Sequence, residues 1–162
     1  MKELLVILHP TTGGLAMLCA MWMMIESLNA NEKNSSKIVL AAKSTASLMW
    51  LTAVFGGFWY IVFYSTKTAL IPEQAIIQNG PWPFGHSLIM ESKELIFIML
   101  LMLASTLPII AKEKITQNSL ARKLSICMSG LTVALCLWIE GSGALIALSA
   151  KVAYMGLSGI SS

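Results

Sequence analysis

Charge is scarce in this chain. Only 12% of its 162 residues are Asp, Glu, Lys or Arg, about half of the roughly 25% of an ordinary soluble domain. With 56% hydrophobic residues and a mean hydropathy of +0.74, the composition is that of an integral membrane protein. The length suits a few spanning helices and little else. Basic runs and aromatic–basic interleaving are also missing. The net charge of +3 comes from loop lysines and one arginine, so nucleic acid is not an expected partner. There is no Ser/His/Asp arrangement, no GxSxG, no HExxH and no P-loop, so no hydrolase or transferase motif is present. Whether the chain is an enzyme stays open.

Cysteine and histidine are sparse too. Cys19, Cys127 and Cys136 all lie within apolar runs, form no CxxC pair and sit beside no histidine, which suits thiols packing as small apolar side chains. The only two histidines are His9 and His86.

Four apolar runs dominate what is present: Leu4–Ile25, Ile38–Tyr64 broken only by Lys43, about Leu88–Ala111, and Leu124–Leu148 broken only by Glu140. They predict an all-α, up-down four-helix membrane bundle in one domain, residues 1–162, with spans at about 4–28, 37–65, 86–111 and 122–150. Residues 29–36 and 112–122 become short turns, 66–85 an outer loop and 151–162 a short interfacial tail. Asn29 and Asn31 suit the first helix stop, and Ser35 or Ser36 the next N-cap. Within the loop, Ile71 to Ile77 suits a short interfacial helix. The first apolar run, at 22 residues, exceeds the 7–15 of a signal-peptide core. A cut after Ala30 would put Leu28 where a small side chain is needed. No cleaved signal peptide is expected.

Basic residues near the span ends set the orientation. Lys33, Lys37, Lys43, Lys112, Lys114, Arg122 and Lys123 flank the short turns, against Lys2, Lys67, Lys93 and Lys151 at the opposite ends. Seven against four puts the turns in the cytoplasm and both termini outside, in an inner or plasma membrane. Trp59, Tyr60, Tyr64 and Trp82 then form the outer aromatic belt.

Ionisable residues converge on that outer half. His9 lies roughly 7 Å below the outer end of its helix, Glu94 roughly 12 Å below His86, and Glu140 roughly 12–16 Å deep. Gly13-Gly14, Gly56-Gly57, Gly141 and Gly143 fall at similar depth and let a helix or a flat ligand approach the backbone. Tight helix packing accounts for them equally well. Pro10 frees the carbonyl of Val6 beside His9. At helical spacing His86, Met90, Lys93 and Phe97 share a face with Glu94 at its edge, whereas Glu91 falls at the flank and pairs with Lys93 or Lys67 at the interface. Lys43 either snorkels or meets Glu26. Intramembrane carboxylates carry a solvation cost that a decorative role does not repay, so Glu94 and Glu140 are candidates for proton handling.

These residues suit several chemistries. One b-type haem would take His9 and His86 as axial ligands, with Met90 a substitute, Gly13 and Gly57 admitting the porphyrin, and Lys67, Lys93, Trp82 and Tyr60 near its propionates. A quinone pocket or proton path would use the same His and Glu groups. Copper or zinc could use His9, His86, Met90, Glu94 and Glu140, without metal-grade clustering. A cofactor-free accessory or assembly subunit needs only that the polar groups satisfy one another. Partners beyond the lipid bilayer are expected to be other membrane subunits.

In its four-span plan and in helix-borne His9 and His86 facing one leaflet, the chain resembles the small four-helix membrane cytochromes of the cytochrome b561-like and copper-resistance-D-like families. Those families carry histidines in larger sets. The resemblance implies an electron-transfer subunit, and two histidines permit a single haem.

Overall fold

The computed structural model of the chain describes residues 2–65 and 73–159, with side chains through residue 156. Five α-helices follow in order: α1 (Lys2–Leu28), α2 (Ser35–Trp59), α3 (Glu73–Gln78), α4 (Glu91–Lys112) and α5 (Ser119–Gly159). A π-helical turn over Tyr60–Tyr64 extends α2, and another over Gly85–Met90 leads into α4. No strand occurs among the described residues. The stretches Lys2–Leu28, Ser35–Tyr64, Gly85–Lys112 and Ser119–Gly156 are each long and apolar enough to cross a membrane.

Helix α1 packs on α2 and α5, and α4 packs on the same two, so α1 and α4 occupy one diagonal of a four-helix bundle. Its core is rich in alanine: Ala16, Ala20, Ala41, Ala42 and Ala104 are fully buried. Small side chains let helix backbones approach closely. Large apolar residues point outward instead; Leu18, Val54, Leu95, Met102, Ile109 and Trp138 are each more than half exposed.

The ends differ. At the short-turn end, Asn34 and not Ser35 or Ser36 precedes the first residue of α2. Its Oδ1 accepts from the Asn31 amide at 2.8 Å, and its Nδ2 donates to Glu26 Oε2 at 2.8 Å. Glu26 also accepts from the Trp22 indole at 3.1 Å, and its cation is Lys37 at 4.0 Å, while Lys43 is exposed. Lys37 lies in the first turn of α2, close to the end of α1, whereas Lys43 is roughly 9 Å further along the helix. At the other end, the termini end, Lys2 pairs with Glu73 at the head of α3. Ile77 of α3 is buried with Tyr64, Met90 and Ile146. Residues 66–72, including Lys67, Ile71 and Pro72, lie outside the described residues.

Helix α5 has 41 residues, roughly 60 Å at 1.5 Å per residue. It therefore exceeds the ~30 Å hydrocarbon core of a bilayer twofold. Lys151, Tyr154 and Met155, in the stretch expected to continue the helix briefly as an interfacial tail, lie in its final turns.

Candidate functional site

A cavity of about 1330 Å³ opens in the termini half of the bundle, lined by all four long helices. Most of its wall is apolar, from residues such as Phe97, Ile98, Ala144 and Ala147, and His9, Lys93, Glu94 and Glu140 interrupt it. Pockets for small molecules are typically about 300–1,000 Å³ with a few convergent polar groups, so this one has room for a flat ligand with an apolar tail.

His9 is oriented by α2. Its Nδ1 lies 3.0 Å from the Thr52 carbonyl oxygen. A carbonyl can only accept, so Nδ1 carries a proton, and in the neutral ring the lone pair is on Nε2. Thr52 is itself tied to α1, its hydroxyl donating to Thr12 Oγ1 at 2.9 Å. The ring rests against Gly56, where a β-carbon would fall 2.6 Å from Cε1 and Nδ1. Proline at position 10 does not end α1, which runs through it; Thr12 donates to the carbonyls of Leu8 and His9.

Glu140 reaches α1 one turn deeper. A β-carbon on Gly13 would meet its Oε1 at 2.6 Å. Lys93 comes from α4 and lays its Nζ 3.1 Å from where a β-carbon on Gly143 would sit. Lys93 and Glu140 act on one another electrostatically, and Lys93 acts on His9. No ion pair within 4.0 Å joins Lys93 to a carboxylate among the described residues. The Lys93 amine, the Glu140 carboxyl group and the His9 imidazole thus face one space while remaining apart. Glu94 is exposed and lines the same cavity, where the Tyr60 hydroxyl faces it. Gly57 lines the cavity with no neighbour within 4 Å of its missing β-carbon, so its smallness enlarges the space. Glu91 is exposed and outside the lining.

The expected stripe on the third span divides. Met90, Lys93, Glu94 and Phe97 line the cavity, and His86 does not. The π turn over Gly85–Met90 takes up roughly one more residue per turn than an α-helix, which shifts His86 out of phase with the residues after it. The Glu91 amide bonds to the His86 carbonyl five residues back. His86 is buried, with Nδ1 3.0 Å from the Tyr64 hydroxyl and Nε2 3.0 Å from Gln74 Nε2. With the Gln74 amide donating, Nδ1–H donates to the Tyr64 oxygen, and neither ring nitrogen has a lone pair left. A porphyrin iron held by His9 and His86 needs a free nitrogen from each in one cavity. His9 offers one and His86 does not, so that ligand pair does not fit this arrangement. No group of three or more His, Cys, Asp or Glu side chains suited to a metal ion occurs among the described residues.

Several groups escaped the sequence reading. The carbonyl of Thr52 carries no side-chain signal. Gln74 and Tyr64 meet His86 only through the fold. Gly56 was legible as a close-approach position, but not as the seat of His9. The buried Trp59 indole nitrogen has no hydrogen-bond partner, and Trp59 lines the cavity.

The chain matches no protein-family model, no curated protein and no solved structure.

Proposed function

We propose that the protein is a multi-pass subunit of a membrane redox complex, in an inner or plasma membrane, whose cavity receives a quinone-class ligand. The carrying observation is the separated set of Lys93, Glu140 and His9 at the polar part of an otherwise apolar cavity. In this reading Lys93 donates to a quinone carbonyl, and Glu140 or His9 Nε2 accepts a proton from a quinol hydroxyl. The ring packs over Gly57 and beside Trp59, and the isoprenoid tail follows the apolar wall toward lipid. The outward-facing apolar residues support insertion, and the basic short turns support a cytoplasmic location for that end, with both termini outside. The small extramembrane mass favours docking on larger membrane subunits.

Decylubiquinone titrated into the purified protein in detergent tests this reading by quenching of tryptophan fluorescence. Saturable binding is expected, weakened about tenfold in Glu140→Gln and in Lys93→Met. Non-saturable partitioning that is the same in all three proteins overturns it.

A second reading has one specific observation behind it: the lone pair on Nε2 of the neutral His9 ring, with Met90 lining the same cavity from the third long span. These two residues, with the resemblance to small b-type cytochromes, would suit a single haem in which His9 and Met90 replace the histidine pair. A bound haem would supply one-electron chemistry. A Soret band lost in His9→Ala and retained in His86→Ala supports it, and a colourless protein from haem-supplemented expression overturns it.

A further inference from the structure

Beneath the cavity the bundle is closed. The wall ends near Pro10, Thr52, Ile98 and Glu140. The next layer toward the short turns is Ala16, Met49, Leu100, Ala104, Cys136 and Ile139, buried and mutually packed. A second plug follows, built from Met23, Ile38, Leu107 and Ala111 among others.

Hydroxyl groups cross this region but are committed: Ser27 and Ser125 to one another, and the others to backbone. Thr45 donates to the Ala41 carbonyl at 2.9 Å, Ser129 to that of Ser125 at 2.6 Å, and Thr132 to that of Met128 at 2.8 Å. A hydroxyl has one proton to donate, so each would have to break its own bond to pass a proton onward. From Glu140 to Ser129 is eleven residues, roughly 16 Å of helix, and Cys136 and the buried apolar layer occupy the interval. Toward the termini end the contrast is complete. Lys2, Glu73, Glu94, Tyr60 and Lys151 all line the same cavity as Glu140.

We infer that the cavity is a half-channel, through which water and protons reach Lys93, Glu140 and His9 only from the face that carries Lys2 and Glu73. This rests on the membrane-spanning reading above and deepens it. Whatever proton is taken up or released at the Glu140 carboxylate exchanges with that face alone. Glu94, exposed and faced by Tyr60 on the wall of the same cavity, is a further ionisable group within that water-accessible space.

Single-cysteine variants test this in sealed proteoliposomes, on a background with Cys19, Cys127 and Cys136 replaced by alanine. Methanethiosulfonate ethylsulfonate, which does not cross membranes, is applied to one side at a time. Asn79→Cys and Lys114→Cys, both at exposed positions, report the two faces. Ala144→Cys and Ala147→Cys in the cavity wall are expected to react from the same side as Asn79→Cys. Ser129→Cys and Thr132→Cys are expected to react at least tenfold more slowly from either side. Reaction of either lower position at the rate of Ala147→Cys overturns the half-channel, as does reaction of both cavity positions from the Lys114→Cys side or from neither. No ligand is used, so a failure of quinone to bind leaves this result standing. Asn79→Cys and Lys114→Cys reacting from one and the same side would overturn the spanning reading and the half-channel with it.

Discussion

The imidazole of His9 is seated on Gly56 so closely that a β-carbon there would fall 2.6 Å from two ring atoms. The same turn of α2 supplies the Thr52 carbonyl that accepts from Nδ1. One glycine and one carbonyl, on a helix distant in sequence, therefore set both the position and the tautomer of the histidine.

Gly56→Ala should displace the ring and overpack the α1–α2 contact, costing about 1–3 kcal/mol. Thermal unfolding in detergent measures it. Because the cost arises from one pair, the double variant with His9→Ala should recover most of the loss. Additive losses would show that the glycine serves a different contact.

The other glycines should divide by what stands opposite. Gly13→Ala drives a methyl group against Glu140 Oε1, so both stability and decylubiquinone affinity should fall. Gly141 has open space at its missing β-carbon, and Gly141→Ala should be neutral or stabilising by up to about 1 kcal/mol. Parallel unfolding curves for the two variants decide the matter, and equal destabilisation would contradict the distinction.

Tyr64→Phe removes the partner of His86 Nδ1 at a buried site. An unsatisfied buried donor costs about 1–3 kcal/mol. The loss should appear as a lower midpoint of unfolding, with quinone affinity at the cavity less affected than in Glu140→Gln. A larger effect on affinity than on stability would place Tyr64 in the ligand site instead.

Ser27 and Ser125 bond to one another at 2.8 Å between α1 and α5. Such pairs in membrane proteins average only about 0.6 kcal/mol. Ser27→Ala should therefore cost less than about 1 kcal/mol, and the Ser27→Ala/Ser125→Ala pair little more. Unfolding of the single and double variants checks this, and a loss of several kcal/mol would mean that the hydroxyls hold the bundle together.

How much of the site was legible follows from what each residue type signals. Glu140 and Lys93 stand out because charge inside an apolar run is costly wherever the chain folds. Their approach to Gly13 and Gly143 depends on helix neighbours and phase, which spacing alone does not contain. His86 shows the limit most clearly. Its α-helical phase placed it with Met90 and Lys93, and the π turn over Gly85–Met90 sets it with Tyr64 and Gln74 instead. Helix type within one turn reflects tertiary packing, here the insertion of α3 against both π turns, and no residue in Gly85–Met90 announces it.

Composition and the length of apolar runs were enough to determine four helices able to cross a membrane, the short turns between them, and the half of the bundle in which the ionisable residues collect. These are sums over many residues, and no single contact can reverse them. Which histidine faces the cavity, which glycine receives which side chain, and where the buried layer closes beneath Glu140 were decided only by tertiary structure. Each depends on the rotation of one helix against another, a quantity set by packing between residues as far apart in the chain as Gly13 and Glu140.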